Sequence, residues 1–155
     1  MGKKQIDSSV FREYDIRGII GTEILVDQVY DLTCAIAAFM FSHNKDLKAI
    51  AVGMDGRTHS AAIKDEVCHA LTDCGINAIF IGLCTTPALY FSLHTLPVDG
   101  GIMITASHNP KEYNGFKICL GKEPIYGQQI QKIGQLYANK TSITSSPKEI
   151  GRAHV

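Results

Sequence analysis

The sequence predicts an α/β protein: a three-layer α/β/α sandwich around a mainly parallel, mixed sheet, in a single domain. Two observations carry that prediction. Short, nearly continuous apolar runs, "KAIAVGM", "INAIFIGLC" and "GIMITA", read as strands buried on both faces. Between them lie stretches with apolar residues at helical spacing, so strand and helix alternate, as parallel strands joined by helical crossovers require. A length of 155 residues, 45% of them hydrophobic, is enough for one such domain with its own core.

Over residues 25–43, Val26, Val29, Tyr30, Thr33, Ile36, Ala37 and Met40 recur at a helical period, and their Ala-rich face suits packing on a sheet. Residues 48–54 follow as a strand that ends in the turn pair Asp55-Gly56. Ser60 is expected to cap a second helix that runs to Cys74, with Gly75 as its stop, and residues 76–84 form the next strand. Thr86 is predicted as the N-cap of a third helix with Pro87 at its first position, fading near Leu96. Residues 101–106 and 116–120 supply two more strands, and 128–137 a closing helix. Residues 1–9 are expected to be an N-terminal tail, and 141–155, polar and without period, a C-terminal one.

Charge and cysteine usage narrow the function classes. Fifteen basic and fifteen acidic residues cancel, and no basic stripe is present, so nothing favours an electrostatic grip on nucleic acid or on an anionic membrane. Any anion recognition is expected to be local. Five cysteines, odd in number and without Cys-x-x-Cys spacing, fit a reduced, cytoplasmic chain. The N-terminus has no apolar signal core, and the most apolar stretch is too short to span a bilayer.

Three polar clusters sit beside predicted strands: "REYDIRG", "MDGRTHS" and the loop of "GIMITASHNPKEYNGFKI". At the carboxyl edge of an open α/β sheet such clusters converge where ligands bind. Each also has a plain structural reading. Asp-Gly-Arg is ordinarily a turn with a surface Arg; Tyr14 to Gly18 can be an edge strand whose Arg pairs with a carboxylate; Ser107-His108-Asn109-Pro110 can be a turn or helix cap. The last reading explains the turn but not the return of Asn114-Gly115-Phe116-Lys117 beside it. A phosphate site explains both, because Ser107, His108, Asn109, Lys117 and Arg17 together offer donors and cations for phosphoryl oxygens. Hydrolase and nucleotide motifs are missing: there is no Gly-x-Ser-x-Gly elbow, no Gly-x-Gly-x-x-Gly and no P-loop, and the six histidines show no metal-ligand spacing.

"FREYDIRG", "MDGRTHS" and "TASHNP" with "NGFK", in that order and spacing, resemble the N-terminal domain of the α-D-phosphohexomutases, in the phosphomannomutase/phosphoglucomutase branch. The resemblance covers residue 10 to about 137, and the expected domain spans 10–140. It implies that Ser107 carries a phosphoryl group, gives it to a hexose monophosphate and recovers one from the bisphosphate, moving phosphate between C1 and C6. Arg17 and Lys117 are the implied counter-charges, and His108 assists proton transfer. Asn109, Tyr14, Arg57 and Asn114 support the loop and the floor, while Asp55 fixes its own turn.

The same resemblance implies Mg2+, bound here only through the phosphate on Ser107, and a hexose 1,6-bisphosphate as activator. Complete mutases of the family have four domains, so 141–155 is expected to begin a linker to a second domain, and the chain alone is expected to be inactive. A different reading makes it a stand-alone module that binds a phosphate or a partner protein without turnover.

Overall fold

The computed structural model describes residues 4–140 and the backbone of 151–152. The chain runs β1 (Ile16–Ile19), α1 (Val29–His43), β2 (Ala49–Met54), α2 (Ser60–Asp73), β3 (Asn77–Leu83), α3 (Thr86–Thr95), β4 (Gly100–Ile104), β5 (Tyr113–Leu120), β6 (Glu123–Pro124), α4 (Gln128–Ala138) and β7 (Gly151–Arg152). The strands form one mixed sheet in the order β1-β5-β4-β2-β3-β7, with β6 paired to β5. Strands β4, β2, β3 and β7 are parallel; β5 runs against both β4 and β1.

Strand alternation shows why the sheet is the middle of three layers. In β2, Ile50 and Val52 belong to the main core with α1 and α2, while Ala51 between them packs with Leu89 and Met103 on the other face. Helices α1, α2 and α4 cover the first face and α3 the second. Because α1 lies between α2 and α4, it is apolar on several sides, and Leu32, Ala35, Ile36 and Met40 are all fully buried. Among the described residues, no helix is long and apolar enough to cross a membrane.

The predicted elements are present, with local corrections. Thr85, not Thr86, is the N-cap of α3: its hydroxyl accepts the Ala88 N–H at 3.3 Å, which moves Pro87 one place into the helix. His59, not Ser60, precedes α2, and the Ser60 hydroxyl donates instead to Asp55 Oδ1 at 2.8 Å. Strand β5 begins at Tyr113 rather than Phe116, taking in Asn114 and Gly115. Within the predicted N-terminal tail, Ile6 is buried in the main core and Asp7 caps a short 3-10 turn over Ser8–Val10. Residues 1–3, and 141–150 and 153–155 of the predicted C-terminal tail, lie outside the described residues; 151–152 pair with β3.

Candidate active site

The loop between β4 and β5 holds the serine. Beyond Ile104, Thr105 and Ala106 are buried, and then Ser107 and His108 emerge to solvent. Ser107 has φ +56°, the left-handed region that L-residues avoid at a cost of about 1–3 kcal/mol. Its peptide is tied on both sides. The Ser107 N–H donates to Thr105 Oγ1 at 3.0 Å, and its carbonyl accepts from Arg57 Nη2 at 3.0 Å.

Arg57 corrects the reading of "MDGRTHS" as a turn with a surface arginine. Its side chain is only 14% exposed, and it crosses from the β2–α2 turn to the serine loop. Nη2 also donates to the Asn109 carbonyl at 2.8 Å, and Nη1 to the carbonyls of Pro110 and Tyr113 at 2.7 and 3.2 Å. Nε pairs with Asp55 Oδ2 at 3.2 Å. Asp55 does fix its own turn, accepting the Arg57 N–H, but it also accepts the hydroxyls of Ser60 and Thr105. Partial burial opposes ionisation of this carboxyl; its hydrogen bonds from Ser60, Arg57 and Thr105, with the Arg57 charge, outweigh that and hold its pKa below the usual value.

The "NGFK" segment is explained residue by residue. Asn114 is fully buried, and its amide nitrogen donates to Ser60 Oγ and pairs with His59 Nδ1, both at 2.9 Å, joining β5 to the start of α2. Gly115 lies opposite Arg17 of β1, and a Cβ there would sit 2.1 Å from the Ile16 carbonyl oxygen, so only glycine admits this approach. Phe116 fills the core, and Lys117 points to the cationic cluster.

Asp15, which the sequence reading did not single out, organises that cluster. Its side chain is 7% exposed, and Oδ2 pairs with both Arg17 Nη2 and, at 3.9 Å, Lys117 Nζ. Arg17 Nη1 donates to Asn109 Oδ1, which brings β1 to the serine loop. Arg17 Nε is buried and has no partner among the described residues. Arg17, Lys117, Asn109, Arg57 and Asn114 thus meet around the loop of Ser107 and His108. Tyr14, one residue before Asp15, stands 72% exposed. An open cleft of about 830 Å³ adjoins the loop, lined by Asp55, Arg57, His59, Asn109, Lys111 and Glu112 among others.

Among the described residues no group of three or more His, Cys, Asp or Glu side chains is placed to hold a metal ion. A hard divalent cation takes six or more oxygen ligands or keeps several waters. Of the acidic groups around the serine loop, Asp55 is committed to Arg57 and two hydroxyls and Asp15 to two cations. These side chains do not form a magnesium site by themselves.

Residues 8–144 match the family model for phosphoglucomutase/phosphomannomutase, alpha/beta/alpha domain I. The chain is 41% identical over 128 residues to a phosphoglucomutase of Neisseria gonorrhoeae, covering 83% of this chain and 27% of that protein. It is 35% identical over 128 residues to a phosphomannomutase/phosphoglucomutase of Pseudomonas aeruginosa, again 83% of this chain and 27% of that one. A phosphoglucomutase/phosphomannomutase family protein from Burkholderia thailandensis superposes with a TM-score of 0.83 at 30% identity, over 96% of this chain and 33% of its own. The chain therefore spans about 27% of the length of these two curated relatives and, with its serine loop and its mixed three-layer fold, it belongs to the phosphoglucomutase/phosphomannomutase family as the α/β/α domain I.

Proposed function

We propose that this chain is the phosphoryl-carrying domain of a hexose-phosphate mutase, with Ser107 as the carrier. The observation that supports it most is the exposed Ser107, held in a left-handed conformation on a loop whose Asn109 bonds Arg17, which with Lys117 shares one buried carboxylate that only partly neutralises the two cations. A phosphoserine brings about −1.5 to −2 charges and three acceptor oxygens. Two cations against one carboxylate leave a net positive edge for it.

In the proposed reaction the bond between phosphorus and Ser107 Oγ breaks as a hexose monophosphate hydroxyl forms a new P–O bond, and that hydroxyl's proton passes by way of His108 to the departing Ser107 Oγ. The hexose 1,6-bisphosphate then turns and returns its other phosphoryl group to Ser107, so phosphate moves between C1 and C6 of glucose or mannose phosphate. His108, exposed next to Ser107, is assigned the proton transfer, and Arg17 and Lys117 offset the charge on the transferring group. Asn109 joins the loop to Arg17. The proposal includes magnesium, which would be held through the phosphate on Ser107 and would offset its charge. It also includes further domains of the same protein as partners and a cytoplasmic setting, with which the five free cysteines agree.

The test uses two proteins. The purified chain, given glucose 1-phosphate, the bisphosphate and magnesium, is expected to show no mutase turnover. The same chain, replacing the matched segment of the Neisseria gonorrhoeae phosphoglucomutase, is expected to support turnover that Ser107→Ala abolishes. Robust turnover by the isolated chain, or a Ser107→Ala chimera as active as its parent, would contradict the proposal.

A further inference from the structure

The two arginines of the site differ in how many of their donors are already committed. A guanidinium has five N–H groups. In Arg57 the five hydrogen bonds to Asp55, Ser107, Asn109, Pro110 and Tyr113 use all of them. Among the described residues the Arg17 bonds to Asn109 and Asp15 use two, leaving three, and its Nε is buried without a partner. An anion arriving at the loop finds donors on Arg17 and none on Arg57.

We infer that Arg57 is a positioning residue whose guanidinium sets the Ser107 peptide, and thereby the direction of the Ser107 hydroxyl, without touching the phosphoryl group. The inference rests on the phosphoryl-carrier reading of Ser107. Four of the Arg57 acceptors are backbone carbonyls spread from Ser107 to Tyr113, so one planar group fixes the course of the whole loop. The second anchor of the Ser107 peptide is coupled to the first. Thr105 Oγ1 accepts the Ser107 N–H and donates at 2.9 Å to Asp55 Oδ2, the same oxygen that accepts Arg57 Nε. Asp55 therefore holds both ends of one unfavourable backbone conformation. Losing the clamp lets Ser107 relax to a negative φ and turns its side chain away from Arg17 and Lys117. Lysine is no substitute, since an ammonium has three donors and no planar fork to span four carbonyls.

The experiment places phosphoserine at position 107 of this chain by nonsense suppression and follows its second ionisation by 31P NMR. With Arg17 and Lys117 beside it, the parent phosphate is expected to ionise well below the ordinary value of about 6. Arg57→Ala and Arg57→Lys are expected to raise that pKa by about one unit, the scale of withdrawing a nearby opposite charge. Added guanidinium ion is expected to restore the parent value in Arg57→Ala and not in Arg57→Lys. Thr105→Val, which leaves Arg57 in place, is expected to shift it in the same direction and serves as the second variant if Arg57→Ala does not fold. Circular dichroism confirms that each titrated variant is folded, and mere loss of stability does not move the ionisation of a folded population. A folded Arg57→Ala or Thr105→Val with the parent's pKa overturns the inference. A parent phosphate that ionises near 6 overturns the phosphoryl-carrier reading instead.

Discussion

Gly115→Ala tests whether the site depends on the close approach of β1 to β5. The added Cβ would lie 2.1 Å from the Ile16 carbonyl oxygen and 2.9 Å from the Arg17 Cα, both backbone atoms of β1. Side chains cannot swing away to make room, so β1 must retreat by about 0.9 Å to bring the first contact to 3.0 Å. Strand β1 is an edge strand and can move, but Ile16 is fully buried beneath it and loses packing as it does. Overpacking of this kind costs about 2–3 kcal/mol. At this chain length that lowers Tm by roughly 4–12 °C. Thermal and urea melts measure it, with Gly56→Ala as the control, where the nearest atom to a new Cβ is Leu83 Cδ1 at 3.9 Å. The control is expected to stay within about 0.5 kcal/mol of the parent. If Gly115→Ala melts with the control, the close approach does not constrain the chain and the account of "NGFK" fails.

Other expectations concern the turn, the cap and the thiols. The lowered pKa of Asp55 means that its contribution to stability is present above the unfolded carboxyl pKa of about 4 and is lost as pH falls through the lower folded value. Urea midpoints are therefore expected to drop below about pH 4, and Asp55→Asn to remove that component; a parent and variant with parallel pH profiles would exclude it. Thr85→Ala removes the N-cap of α3 and is expected to cost about 1 kcal/mol in urea melts, whereas Thr86→Ala costs less. Burial pushes the Cys68 thiol up to about 11 and the Cys119 thiol up to about 12, so at neutral pH both should resist alkylation until the chain unfolds, as peptide mapping after iodoacetamide treatment will show.

The sheet and helices were readable because burial on both faces leaves unbroken apolar runs such as "AIAVGM" in β2, and a buried helix leaves a period such as that of α1. The direction of β5 was readable in principle: residues 105–112 contain no helical crossover, so the strand has to turn back along β4. The way Arg57 supports the serine loop was not. Four of its five acceptors are backbone carbonyls, which every sequence possesses, so nothing at positions 107–113 announces an arginine fifty residues earlier. Asp15 left a faint signal, a carboxylate two residues before Arg17 on a strand, but its burial and its link to Lys117 arise only from the pairing of β1 with β5. Thr105 and His59 act through long-range hydrogen bonds to Asp55 and Asn114, and local pattern carries no trace of either.

Phosphopeptide mapping tests whether Ser107 carries the phosphoryl group: the chimera, in which this chain replaces the matched segment of the Neisseria gonorrhoeae phosphoglucomutase, is mapped after exposure to radiolabelled glucose 1,6-bisphosphate. One labelled peptide is expected, phosphorylated at Ser107, whose label passes to hexose monophosphate when substrate is added. A folded, active chimera whose label sits on another residue, or whose Ser107 stays unmodified through turnover, would contradict it.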